Sequence, residues 1–347
     1  MQDQRNLLQS DISRTVDPDK PNFGDTRWII SEDVNVEHLL DVFTTIDTDS
    51  DSAWSACTYF IQHLVWHKRR PTILKSKIEK LPDNHSSKPG CLFELSRLLN
   101  LIGNRTERKR LLTSALVIQK ERGNDPEVAQ ILRHLSDSSR LMGLPGEGIE
   151  QAKEALAILE RLGDTVEQAQ CLIDLARLLR SDNQSDAAVE AATQAINLLP
   201  TEGEQFLVCE SHRILGDIYQ SNGEREKAIH HFDIVIGIAS SFDWHDHLFC
   251  VHYSLAVLFR DEGKLDDAHV HVEHAKAHGV DNTYYLGYAM EMQAGIWNRQ
   301  CRFQEARAEA LRAAEVYEKL GATKDLEDCR KLLQGIEKEL DTPVVPS

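Results

Sequence analysis

Five leucines fall on one register: Leu95, Leu135, Leu175, Leu215 and Leu255 are spaced 40 residues apart. Eight residues after each stands Gly103, Gly143, Asn183, Gly223 or Gly263. Glycine, and less readily asparagine, takes the left-handed backbone that closes a helix, so the register marks a repeated helix end. Ala115, Ala155, Ala195 and Ala275 stand twenty residues after four of the leucines, and Ala188, Ala228 and Ala268 thirteen after the last three. A sixth, degenerate unit follows 38 residues on, with Trp297, Cys301, Ala306 and Ala313. Similarity at a fixed period of this kind marks a stacked array. It also accounts for a 347-residue chain, too long for one ordinary core.

Within a unit the apolar period is helical. Val166, Ala169, Leu172, Ile173, Ala176 and Leu179 make one stripe, and Ala188, Ala191, Ala192, Ala195 and Ile196 make the next. Asp125-Pro126-Glu127 reads as an N-cap, a proline at the first helical position and an acid in the first turn. Each unit is therefore a helix pair, with alanine where the two helices cross closely. The expected fold is all-α: a right-handed superhelical α-solenoid of about six to seven helix pairs of about 40 residues, closed by a C-terminal capping helix.

Leu215-Gly216-x-x-Tyr219, Gly223, Ala228 and Phe232 follow the spacing of the tetratricopeptide repeat (TPR), and Pro200 ends its unit where that family often carries proline. Residues 90–320 thus resemble a TPR array. The period is longer than the ~34 residues typical of that repeat and overlaps the HEAT and armadillo range, the competing fold. A narrower resemblance lies in HKRRPTILKSKIEKLPD, LFELSRLLNLIGN, GEQFLVCESHRILGDIYQSNGEREKAIHHF, WHDHLFCVHYSLA and LRAAEVYEKLGATKDLEDC. These stretches look like the repeats that follow the ATPase module of fungal NACHT/NB-ARC signalling proteins. That resemblance implies a role in sensing or holding a partner, with such an ATPase as one partner class. No G-x-x-x-x-G-K-[ST] occurs, so the chain is expected to be the repeat part without the motor.

Around the array, residues 1–50 form an acidic, partly disordered segment, and 51–88 a worn repeat or N-terminal cap. In the latter, Trp54, Cys57, Phe60, Ile61, Leu64 and Val65 share a helix face. Six TPR-like repeats fill 89–320. A capping helix takes 321–340, with Leu326, Cys329, Leu332, Leu333, Ile336 and Leu340 on one side, and 341–347 is a tail.

Thirty-nine Lys and Arg against 56 Asp and Glu leave −17, a poor footprint for nucleic acid or an anionic membrane. The charge is uneven: residues 1–50 carry −7, 51–124 carry +8, and the remaining 223 carry −18. No apolar run spans a bilayer, and the N-terminus lacks the apolar core of a signal peptide, so a cytoplasmic chain is expected. Seven cysteines, far apart and without a C-x-x-C, read as buried hydrophobes in a reducing compartment.

Several stretches hint at chemistry and are weighed against plainer readings. Asp47-Thr-Asp49-Ser-Asp51-Ser resembles the start of a calcium loop but lacks its sixth-position glycine and twelfth-position acid, which favours a solvated helix cap. Gly143, Gly146 and Gly148 fall inside a repeat turn and do not make a phosphate loop. His67-Lys68-Arg69-Arg70 with Lys75, Lys77 and Lys80 reads as a solvated face, without the interleaved aromatics of a nucleic-acid surface. His271, His274 and His278, at i, i+3 and i+7 with His269 nearby, are the metal candidates and the basis of a rival reading as a metal-dependent enzyme or sensor. The plainer reading is a solvated outer face, and no cofactor is expected.

The sharper signal lies on the first helix of each pair, which in TPR-like arrays lines the concave groove. Two residues before the register leucine stand Phe93, Arg133, Ile173, Arg213, Tyr253 and Glu291. Five after stand Asn100, Arg140, Arg180, Gln220, Arg260 and Asn298. Two after stand Arg97, Asp137, Arg177 and Asp217, whose alternating signs predict a self-neutralising ladder. Phe93, Arg133, Arg140, Arg180, Arg213, Tyr253 and Arg260 are therefore the expected binding residues for an acidic or phosphorylated peptide or domain. The plainer alternative pairs these arginines with glutamates of the second helices. Function is expected to be protein–protein interaction, not catalysis.

Overall fold

The computed structural model describes residues 73–341, apart from 102, 201, 202, 281 and 282, together with Trp54, Cys57 and Ile61. The acidic N-terminal segment, the calcium-like run, the basic run at 67–70, Phe60, Leu64, Val65 and the tail beyond 341 lie outside the described residues. Among those described, every regular element is helical.

The chain divides into two units, Met1–Gln184 and Ser185–Ser347. Unit 1 holds α1 (Ile73–Lys80), α2 (Lys88–Leu101), α3 (Arg105–Arg122), α4 (Asp125–Leu141), α5 (Pro145–Leu162) and α6 (Thr165–Ser181). Unit 2 holds α7 (Ser185–Leu198), α8 (Gln205–Ser221), α9 (Arg225–Ser241), α10 (His245–Asp261), α11 (Leu265–His278), α12 (Thr283–Arg299), α13 (Phe303–Leu320) and α14 (Thr323–Asp341). Within each unit consecutive helices pack on one another. In addition α4 touches α6, α8 touches α10, α10 touches α12, and α12 touches α14. No contact of that extent joins consecutive second helices. Contact between alternate helices therefore runs along the first helices of the pairs and not along the second.

The register dictates this packing. Leu95, Leu135, Leu175, Leu215 and Leu255 are all buried, and Ala115, Ala155, Ala195, Ala275, Ala188, Ala228 and Ala268 have no exposed surface. The turn residues have positive φ, as the spacing predicts. In two units the position is filled by residues that carry a Cβ, Asn183 and Cys301, both at φ 59°. Cys301 is exposed and Cys250 half-buried, so two of the seven cysteines depart from the expected buried role; the other five keep it. Cys301 shows why: it stands in for the turn glycine and is not a core residue.

Helix starts differ from expectation by one residue. α4 begins at Asp125 itself, and its cap, Asn124, accepts no side-chain bond. Capping by side chain occurs instead at Asn104, whose Oδ1 accepts from Glu107 N at 3.3 Å, and at Asp164, which accepts from Glu167 N at 3.0 Å. At the far end α14 buries Cys329, Leu333 and Ile336, as the apolar stripe predicts. Trp54, Cys57 and Ile61 belong to the same core cluster as Ile78, Leu92 and Leu95.

The residue after each register leucine is small because the next helix lies on it. A Cβ at Gly216 would sit 2.4 Å from the fully buried Phe232 ring. Gly216→Ala is therefore expected to destabilise unit 2 by about 2 kcal/mol, the usual penalty for overpacking. A thermal melt checks this, and an unchanged midpoint would show that Phe232 can step aside.

Candidate interaction faces on the first helices

In unit 1 the predicted residues lie on α2, α4 and α6, and Arg133 and Arg140 are ion-paired. Phe93 meets His134 edge to face, with centroids 4.8 Å apart. Arg133, with 14% of its side chain exposed, donates to Asp174 at 3.3 Å and pairs with Glu167, both on α6. Burial pushes the Asp174 carboxyl up even with Arg133 and Arg177 beside it. Arg140 donates to Asp137 at 2.7 Å, and Asp137 also receives Arg108 from α3 at 3.0 Å. Burial would raise Asp137, yet these two guanidiniums hold it below the usual carboxylate range. Arg180 is exposed at the end of α6.

The carboxylates that meet these arginines are on first helices, not on the second helices named in the plainer expectation. Nor does the alternating column simply pair with itself. Arg97 donates to Glu94 at 3.0 Å and Arg177 to Asp174 at 2.9 Å, each three residues back on its own helix. In sum, the face and flank of unit 1 carry Arg97, Arg108, Arg133, Arg140, Arg177 and Arg180 among Glu94, Asp137, Glu167 and Asp174, an arginine majority.

Unit 2 differs in chemistry. Arg213 grips Glu210 with two bonds of 2.9 and 3.1 Å and reaches Asp217 at 3.2 Å. Glu210 also lies 2.9 Å from His247 Nε2. Arg260 donates to Asp261 at 2.8 and 3.0 Å and to Met292 Sδ at 3.3 Å. Tyr253 stacks on Phe249 and meets Tyr288 edge to face; burial and then Glu291 push its phenol up to about 12. The arginines expected to dominate this face are each matched by an acid. What stands beside them is a tyrosine–carboxylate group, Tyr284, Tyr288, Glu291, Tyr317 and Asp325, of which the column reading named only Glu291. Tyr284, Tyr288 and Glu291 at i, i+4 and i+7 were the available signal.

The histidines of α11 turn inward. His252 of α10 stacks on His271 (5.4 Å), His274 (4.9 Å) and His278 (6.0 Å), and its Nδ1 is 3.1 Å from His271 Nδ1. His245 and His278 bring their Nδ1 atoms to 3.1 Å. One repeat earlier His212 and His231 make the same contact at 2.9 Å. Three of the four α11 rings, His269, His271 and His278, are half-buried, which corrects the expected solvated outer face. Among the described residues no group of three or more His, Cys, Asp or Glu is placed to hold a metal ion.

Comparison with known proteins agrees with this geometry. The tetratricopeptide-repeat family profile matches residues 127–201, which span α4 to α6 and the α7 helix. No curated protein matches the sequence. Among solved structures, a Rap protein complexed with Competence and Sporulation Factor aligns over 97% of this chain and 99% of its own, with 14% identity and a TM-score of 0.61. Aspartyl phosphate phosphatase F from Bacillus subtilis aligns over 98% and 93%, with 15% identity and a TM-score of 0.55. BtubC from P. vanneervenii aligns over 63% and 91%, with 17% identity and a TM-score of 0.52. The fold is a TPR-like helical solenoid, which decides against the HEAT and armadillo alternative.

Proposed function

We infer that the chain is a protein-interaction scaffold that holds a partner peptide or domain on the inner faces of its first helices. One observation carries this reading. Neighbouring first helices present half-buried charged and aromatic side chains at one repeat register, where a purely structural inner layer needs neither. The Rap protein of the comparison was solved with a second molecule, Competence and Sporulation Factor, which supports a fold that takes a partner. Because another protein of this fold is named a phosphatase, the scaffold reading rests on the faces and not on the fold. Such a scaffold is preformed and loses little freedom on binding, so most of the ordering falls on the partner.

On unit 1 the arginine majority selects carboxylates or phosphates, with Arg140 and Arg180 as the gripping residues, because guanidinium forks bind such groups bidentately. Arg133 is already committed to Asp174 and Glu167 and serves the fold. Charge reversal at Arg140→Glu with Arg180→Glu is expected to weaken partner capture at least about tenfold, a loss of roughly 1.4 kcal/mol, with helicity retained. An interaction screen run with wild type and this double variant measures it. Capture unchanged in the variant sinks the assignment. The likeness to NACHT/NB-ARC repeats adds an ATPase of that kind as an expected partner class, for which co-purification is the check.

A further inference from the structure

We propose that unit 2 carries a binding site for a cationic side chain, an arginine on an extended segment of a partner protein, formed by Tyr253, Tyr284, Tyr288, Glu291 and Asp325. It rests on the scaffold reading above and adds a partner chemistry opposite to that of unit 1.

Four tyrosines come together from three helices: Tyr253 on α10, Tyr284 and Tyr288 on α12, and Tyr317 on α13. Their rings meet at steep angles. Tyr284 and Tyr288 lie at 84° with centroids 4.8 Å apart, Tyr288 and Tyr317 at 73° and 6.0 Å, and Tyr253 and Tyr288 at 68° and 6.2 Å. In edge-to-face contacts of this kind each ring meets its neighbour at an edge or a face, and a π face left to solvent attracts an organic cation. Tyr317 is fully buried, whereas Tyr253, Tyr284 and Tyr288 are half-buried.

Two carboxylates complete the group, and their partners are phenols. Asp325 of α14 accepts from Tyr284 at 2.7 Å and from Tyr288 at 3.2 Å, and Tyr284 and Tyr288 hydroxyls lie 2.9 Å apart. Glu291 accepts from Tyr317 at 2.8 Å. Neither forms an ion pair with a lysine or arginine among the described residues, unlike Glu210 and Asp217 two pairs earlier, which share Arg213. Arg260, whose charge reaches Tyr253, is bound to Asp261 and Met292. Burial raises the Glu291 carboxyl against the Tyr317 hydrogen bond, and Asp325 and Asp328 add to the rise. A half-buried negative charge held by neutral donors is a place where an incoming guanidinium gains both the fork to a carboxylate and stacking on tyrosine. Arginine suits it better than lysine for that reason, since ammonium supplies the charge but neither plane nor fork.

The test titrates the full chain with a short labelled peptide of alternating arginine and alanine, followed by anisotropy. Glu291→Gln removes the charge but keeps an acceptor for Tyr317, so folding should survive. The comparison variant is Glu160→Gln, which removes an equal charge at an exposed position on unit 1. Expected is a loss of about tenfold in affinity for Glu291→Gln and none for Glu160→Gln. A lysine peptide should bind wild type more weakly than the arginine peptide. Equal weakening by the two variants, or no weakening by Glu291→Gln, overturns the site, because the −17 of the whole chain would then be the attraction. Failure here is separable from failure of the scaffold reading. If Arg140→Glu with Arg180→Glu abolishes partner capture while Glu291→Gln leaves peptide binding intact, only the cation site falls. If natural partner capture survives both sets of substitutions, the scaffold reading falls.

Discussion

Arg133→Met should unfold unit 1 about 6–12 °C earlier, a larger loss than Arg140→Glu with Arg180→Glu should cause, although that pair of changes also takes Arg140 from Asp137. All three arginines were read from the sequence as equivalent groove residues, and the structure separates them. Arg133 is mostly buried and divides its guanidinium between Asp174 and Glu167. Removing one member of such a pair leaves the other charge stranded, which typically costs about 3–5 kcal/mol. The low end applies, since Asp174 keeps Arg177 at 2.9 Å. The deficit also depends on pH. Burial already raises Asp174, and losing Arg133 raises it further. A carboxyl whose folded pKa lies above its unfolded one costs stability as pH rises through that interval, because the folded state then binds more protons than the unfolded. The gap between Arg133→Met and wild type should therefore narrow as pH falls from 7 toward 4. Arg133→Met with Asp174→Asn should recover part of the loss, since it removes the stranded charge and keeps an acceptor for Arg177. A double variant no better than Arg133→Met would mean that the guanidinium stem, not its charge, holds α4 to α6.

Fold and site were legible to different degrees for a physical reason. Helix pairing follows from spacing alone: a leucine every 40 residues and a left-handed residue eight later leave the backbone few options, and even Cys301 obeys. Which side chains line the inner face also follows from register. What they do there does not, because an arginine's partner is chosen in three dimensions. Asp174 lies 41 residues from Arg133 and Asp137 lies 29 from Arg108, separations at which a column of letters gives no sign of contact. The tyrosine–carboxylate group was half legible. Tyr284, Tyr288 and Glu291 share a helix face in the sequence, but Asp325 comes from the capping helix, 34 residues beyond Glu291. The histidine pairs carry a signal in the repeat itself: His212 and His252 are 40 apart, as are His231 and His271.

Those pairs make the second large expectation, acid destabilisation between pH 6.5 and 4. His252 is pushed down to about 4 by burial and then by His271, His274 and His278. His231 reaches about 4 through burial, His212 and His230, and His212 is lowered by burial and His230. His271 is lowered by burial and His274 despite Asp267 and Asp233. The geometry gives the cause. Two Nδ1 atoms at 2.9–3.1 Å share one hydrogen, so each pair accepts a first proton at an outer Nε2, while a second sets two N–H donors against each other. An unfolded histidine titrates near 6.5, so below that pH the unfolded chain binds protons that the folded pairs refuse. Stability is then fully present above about 6.5 and lost as pH falls toward the folded values. With His231 only half-buried, the shifts are discounted for solvent to about 2 kcal/mol in unit 2 between pH 7 and 5, or roughly 4–8 °C in melting midpoint. His231→Gln with His252→Gln should flatten that dependence, whatever it does to the midpoint at pH 7. His230→Gln, at an exposed ring outside the Nδ1 contacts, removes only a neighbouring charge from His212 and His231 and should flatten the slope less than the double variant. A double variant with an unchanged slope would place the acid-sensitive groups elsewhere. The first alternative to try is then His134 of unit 1, held down to about 3 by burial and by Arg108, Arg133 and Arg97.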